Sequence, residues 1–264
     1  MNFILIAIFF VALSLFSFTA FKSIGFGMLL NPDALMIVGG GTIVALFLGF
    51  PLKRLRKTVL DVIETFHVKR SNQETAREIL EITRIFRKAN IRGLEKKIKY
   101  SDDDFLKMGI NLLINRKTSE EIRNIMEKSL SMRMMDFHFS ESVLRTVARL
   151  TPSFGLAGTV ISLIKMFQNM ESLDTIAPHM AVAMMSTFYG VIAANLFMVP
   201  LCAKLEEHAN QSETRMHSII DGIESINNND HPLNIEDKIN GYSVKWEWQN
   251  IQLTPNSATE AVKK

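Results

Sequence analysis

The sequence predicts an all-α polytopic membrane protein, with four transmembrane helices and a helical cytoplasmic domain between the second and third. Three observations predict it. Four apolar stretches, 3–21, 34–50, 147–167 and 177–201, each approach the length a bilayer core requires, about 20 residues at 1.5 Å rise per residue. A charged block, 51–146, splits them two and two. Cations cluster on one side only of the resulting helix pairs. The average conceals this pattern: mean hydropathy is +0.13 and 22% of residues are charged, because the block and the tail dilute the spans.

The first stretch reads as an uncleaved helix and not as a signal peptide. No Lys or Arg precedes its apolar run, and no small-x-small site follows it. With the second stretch it makes a membrane segment, 1–50. Lys53, Arg54, Arg56 and Lys57 follow the second span, Arg145 and Arg149 flank the third, and Lys204 follows the fourth. The other connections hold only Lys22, and Glu171 with Asp174. Cation-rich flanks stay on the cytoplasmic side, so both termini and the long loop are expected there, in a cytoplasmic (inner) membrane.

The loop, 51–146, reads as a helical domain. Ser71-Asn72-Gln73-Glu74 and Thr118-Ser119-Glu120-Glu121 fit the capping box, in which hydroxyl and acid satisfy free backbone donors. Ile122, Ile125, Met126 and Met132 then recur at helical spacing, while Gly93 and Asp102-Asp103-Asp104 punctuate shorter pieces. The second membrane segment is 147–203. Beyond it, 204–226 reads as an amphipathic helix through Met216, Ile219, Ile220 and Ile223. The remainder, 227–264, is polar and opens on a linker-like Asn227-Asn228-Asn229-Asp230, so a flexible tail is expected. Tyr242–Trp248 alternates partly like a strand, and Trp246 and Trp248 find no physical account.

Small residues mark how the third and fourth spans meet. Gly155 and Gly158 share a face with Ser162, and Ala183, Thr187, Gly190 and Ala194 form a second stripe. Such faces allow close helix packing in lipid. Thr159, Ser186 and Thr187 add hydroxyls, for which two readings stand: bonding back to their own helices, or offering oxygen to a cation. Pro152 opens the third span and Pro200 closes the fourth, either as boundary markers or as hinges. No Asp or Glu lies inside any span, so an ion machine built on an intramembrane carboxylate must borrow it from another chain.

Enzymatic and nucleic-acid roles are not expected. Six histidines are scattered without metal-site spacing, Cys202 is the lone cysteine, and a net charge of +3 is small and interspersed. Gly39-Gly40-Gly41 sits in an apolar span, where it serves packing and not phosphate binding.

Pro152-Ser153-Phe154-Gly155-Leu156-Ala157-Gly158-Thr159 resembles the start of the third transmembrane helix of MotA/PomA flagellar stator proteins. Met180 through Gly190, continuing by Asn195 to Pro200, resembles the fourth. Arg87-Lys88, Leu94-Glu95 and the run from Asp102 to Gly109 are similar to the family's loop, and the resemblance covers about 1–225. It implies five copies around a MotB/PomB-like single-span, peptidoglycan-binding partner that carries the ion-binding aspartate. It implies torque on the rotor switch protein of the C-ring, contact with membrane lipid, and no cofactor besides the transported Na+ or H+. It makes Pro152 and Pro200 coupling prolines, and Arg87, Lys88 and Glu95 rotor contacts. Lys96 and Arg149 depart from the family's acids at those places. Thr159, Ser186 and Thr187 resemble the hydroxyl cluster of sodium-driven members, which favours a transient Na+ near Thr159 and Thr187 over a proton. The rivals are an energiser of the ExbB/TolQ group and a membrane scaffold without ion flux.

Overall fold

The computed structural model describes residues 31–66, 72–88, 91–101, 103–168, 173–239 and 241. The expected first span, the Ser71 cap and the Tyr242–Trp248 segment lie outside them. The described residues form helices joined by short turns, without strands among them. Helices α1 to α8 run Pro32–Gly49, Leu52–Phe66, Asn72–Arg87, Ile91–Tyr100, Asp104–Ile114, Ser119–Gln168, Leu173–Ile192 and Val199–Asn227, with a π-helical turn, Ala193–Met198, joining the last two. A short α9 covers 232–239. Three of these runs are long and apolar enough to cross a membrane: Pro32–Gly49, part of Ser119–Gln168, and part of Ile176–Asn227.

Two compact units form, Met1–Thr58 with Glu141–Ala203, and Val59–Ser140 with Lys204–Lys264. In the first, Asn31 caps α1 by accepting the Ala34 N–H at 3.2 Å, and Pro32 fills a first-turn position that needs no donor. Pro51 ends the helix: it forces Phe50 to an extended φ −135, ψ 139. The Asn31 N–H donates to the Tyr189 hydroxyl at 2.9 Å, tying α1 to α7. Helices α6 and α7 meet backbone to backbone. A Cβ on Gly155 would stand 2.9 Å from the Ser186 carbonyl oxygen, and one on Gly190 would stand 2.6 Å from that of Thr151. Gly158 packs on Ser186 in the same way, and Gly41 receives the Phe154 ring. The outward face is apolar, with Leu48, Leu156, Phe167 and Met184 exposed as a lipid-facing surface requires.

In the second unit, Asp103 caps α5 by accepting from Phe105 and Leu106 N–H, and its other oxygen takes Arg215 at 2.6 Å. The Thr118 capping box forms reciprocally: Glu121 accepts the Thr118 N–H at 3.0 Å, and the Thr118 hydroxyl accepts the Glu121 N–H at 3.3 Å. Ile79, Leu106, Ile122, Ile219 and Ile223 are fully buried among these helices. Arg123 on α6 joins Glu224 and Asp221 on α8, and the Glu224 hydrogen bond raises its already high pKa.

Three sequence expectations change. The third span and the loop helix before it are one unbroken helix of 50 residues, about 75 Å long. The fourth span likewise runs into the amphipathic segment, so Pro152 and Pro200 sit inside helices and mark no ends. The polar tail begins later than expected. After Asn229 turns the chain at φ 57, α9 buries Ile235 and Ile239, and Ile239 reaches Gly222 beside Ile79.

Gly190→Val should force α6 and α7 apart and lower the thermal stability of the detergent-purified chain, at a cost of about 1–3 kcal/mol or more. Gly40→Ala, whose added carbon meets nothing within 4 Å, should not. Equal stability of the two variants would refute the close contact. Ile239→Ala should cost about 2–5 kcal/mol, read as lost amide-exchange protection along α3 and α8. Lys238 donates to Asp230 at 3.0 Å and holds its carboxyl below the ordinary 3.8. A depressed acid stabilises above its unfolded value and stops doing so as pH falls through its folded one. The methyl resonances of Ile235 and Ile239 should therefore keep native shifts near neutrality and begin to move once pH falls below 3.8.

Candidate functional site

Within the first unit, the α6–α7 contact gathers most of the residues singled out from sequence. Gly155 faces Thr187 and Gly190, and Gly158 faces Ser186. Ala183, Ser186, Gly190 and Ala194 are buried, as is Ser162, while Thr159 and Thr187 are half-buried. The Thr159 hydroxyl donates to the Leu156 carbonyl at 2.6 Å, and the Ser186 hydroxyl donates to that of Val182 at 2.8 Å. Both bond back to their own helices, as the packing reading holds. That bond uses only the proton; each oxygen keeps lone pairs that a cation can share. The arrangement therefore serves packing and leaves hard oxygen available.

Pro152 removes the donor that would serve the Ala148 carbonyl, yet α6 continues through it. The Thr151 and Ser153 hydroxyls donate to the neighbouring carbonyls of Val147 and Arg149, at 2.9 and 3.1 Å. Pro200 is accommodated differently. The preceding turn widens to π geometry, with the Val199 N–H reaching the Ala194 carbonyl five residues back. An extra residue in that turn relieves the ring's clash with the carbonyl below it. Sequence pattern gives no sign of such a turn, because periodicity does not register one inserted residue.

In the second unit, the charged residues expected to meet a rotor are split by their bonding. Arg87 closes α3 and donates to the carbonyls of Asn229 and Asp230, at 3.4 and 2.5 Å, so it holds the turn that follows α8. Lys88 and Glu95 are exposed, as is Lys96. Sequence reasoning missed the contacts that hold these helices. Asp61, 4% exposed, accepts the Ser140 hydroxyl at 2.6 Å, and Arg133 pairs with Glu64 at 3.2 Å. A carboxylate in an amphipathic stretch reads as solvated, so nothing in the sequence signalled a buried one. Among the described residues no cluster of His, Cys, Asp and Glu could hold a metal.

The family model of the MotA/TolQ/ExbB proton channel family matches residues 97–218. Motility protein A of Treponema pallidum is 30% identical over 225 residues, 81% of this chain and 86% of that protein. Motility protein A of Aquifex aeolicus is 32% identical over 207 residues, 77% and 81% of the two chains. The flagellar MotAB stator complex of Bacillus subtilis superposes with a TM-score of 0.76 at 25% identity, over 89% of this chain and 92% of that one. A glycine-closed α6–α7 contact, bordered by hydroxyls and without a carboxylate in the apolar stretches 147–167 and 177–201, is therefore found in a chain that belongs to the motility protein A family, the stator ion-channel subunits of the bacterial flagellar motor.

Proposed function

We propose that this stator subunit passes Na+ inward along the α6–α7 face, at the side of a partner's aspartate, and converts that passage into torque on the rotor. The observation that carries the reading is the interface itself. Its hydroxyls, Thr159, Ser186 and Thr187, lie on or beside a glycine contact that contains no acid of its own. A carboxylate from a second chain completes it. The Bacillus subtilis structure is of a MotAB complex, which supports a MotB-type partner here.

Stripping water from Na+ requires several hard oxygens in compensation, whereas a proton needs only a titrating group and water. Hydroxyls already tied to helix carbonyls cannot swing away and so hold their oxygens at fixed distance. A transient ion near Thr159 and Thr187 fits that chemistry. Four spans, five copies, and cytoplasmic termini and loop complete the proposal, supported by the cation distribution and the family resemblance. Lys88 and Glu95 would act as the freely exposed rotor contacts. Exposed pairs are worth about 0–1 kcal/mol each, which suits a contact that must form and release repeatedly. Arg87 would act beside them while holding the turn after α8.

Replacing Thr159 by Ala should lower swimming speed at limiting external sodium and leave it nearly normal at saturating sodium. Undiminished swimming of wild-type cells in sodium-depleted medium, at an unchanged proton gradient, would exclude Na+ as the coupling ion.

A further inference from the structure

A cavity of about 340 Å³ opens in the second unit, where residues of α3, α4, α5 and α8 come together. Its lining is apolar, and Leu94 and Leu113 are buried beneath it. Ile91, on the same lining, is 47% exposed. Arg116 and Lys117, both exposed, border it, and no acid lines it. Arg116 holds a left-handed φ of 52 just beyond α5, a place that ordinarily goes to Gly or Asn. The chain thus keeps a long cation at the mouth against the preference of its own backbone. Asn227 donates to the Lys117 carbonyl at 3.3 Å and to the Ser119 hydroxyl at 2.8 Å, which fixes that side of the cavity.

The sequence beyond α9 supplies an occupant of matching chemistry. In an extended chain Tyr242, Val244, Trp246 and Trp248 share one face, with Ser243, Lys245 and Glu247 on the other. Four apolar side chains on one face, two of them indoles, call for cover that water does not give. An apolar slot accepts an indole, and cations at its mouth are attracted to the ring face. Reach is sufficient. Ile239 packs beside Gly222, which lies five residues, about 7.5 Å of helix, before Asn227 at the cavity. Trp246 follows seven residues after Ile239, up to about 23 Å of extended chain. So short a tether brings the effective concentration into the millimolar range, and a weak contact suffices. We propose that Trp246 and Trp248 dock in this cavity of their own chain, with Arg116 and Lys117 against the indoles. Phe86 and Ile91 flank Arg87 and Lys88, and Leu94 precedes Glu95, so the docked segment covers the rotor corner and competes with the rotor. Docking is independent of the rotor-contact reading; the competition rests on it.

Trp246 and Trp248 are the chain's only tryptophans, so its intrinsic emission reports on them alone. In the full-length chain in detergent that emission should be blue-shifted and shielded from acrylamide. Ile91→Glu, an acid in the first turn of α4 where the helix tolerates one, should shift it to the red and expose it. Arg116→Gly, which relieves the left-handed backbone, should weaken the shielding. Circular dichroism at the wild-type level certifies that both variants are folded. A nitroxide on Ile91→Cys, with Cys202→Ala as background, should quench the emission, and one on Met135→Cys should not. The quench should survive co-assembly with an excess of cysteine-free copies carrying Trp246→Phe and Trp248→Phe. Its loss there would show that a neighbouring copy's segment fills the cavity, and would overturn docking within one chain. Emission indifferent to Ile91→Glu, whether exposed or shielded, would overturn docking altogether. In cells, Trp246→Ala with Trp248→Ala should raise the number of engaged stators per motor, counted as discrete speed steps after induction. No rise, with Lys88→Ala or Glu95→Ala still lowering torque, would overturn the competition and leave the rotor-contact reading intact. Full torque in both charge variants would sink that reading and the competition with it, and docking would stand or fall by the emission.

Discussion

Close backbone approach at Gly155 and Gly190 is the constraint on which the membrane half of this protein depends. Lipid tails are as apolar as leucine, so helices there gain nothing from hydrophobic burial and must gain from packing. Without a Cβ at either glycine, the two backbones come within van der Waals contact, and 2.6 Å would separate an added carbon from the Thr151 oxygen. That distance sets where Ser186 and Thr187 stand relative to α6. Any wider spacing would spread the hydroxyls and admit water or lipid between them. The same glycines that make the helices cohere therefore fix the chemistry of the face.

The two prolines act on this rigid pair from one end each. In α6 the helix absorbs Pro152 without a break, and flanking hydroxyls serve the carbonyls on either side. In α7–α8 the chain absorbs Pro200 by widening one turn. Both solutions keep the helix continuous into the second unit while removing a backbone hydrogen bond at a defined point. A rod with one missing bond bends there more readily than elsewhere. The reading of these prolines as boundary markers falls away, since both helices continue through them.

Local features were legible in the sequence where a short-range rule governs them. The Thr118 box, the break at Asp103, and the small faces of Gly155, Gly158 and Gly190 each depend on neighbours one to four residues away. Continuity was not legible: the passage from charged to apolar composition near Val147 looks like a domain boundary, yet hydrogen bonding along a helix is indifferent to side-chain polarity. Helix α9 was hidden because Ile235 and Ile239 are only two apolar residues in a polar stretch, and their burial depends on α3 and on Gly222. Arg87 showed its charge in the sequence but not its bond, which spans 143 residues. The first span and the tryptophans lie beyond the described residues.

Helix α2 brings these strands together. Its polar residues would ordinarily face water, but burial of Asp61 against Ser140 satisfies the carboxylate and leaves the apolar stripe to the other side. Polar groups here hold elements of the second unit together while apolar groups face outward, the reverse of a soluble domain. That inversion leaves the stripe to be covered by something other than water. The amphipathic signal that identifies a helix in sequence is blind to which face turns inward. Only the partners of Asp61 and Glu64 decide it, and they lie 79 and 69 residues away.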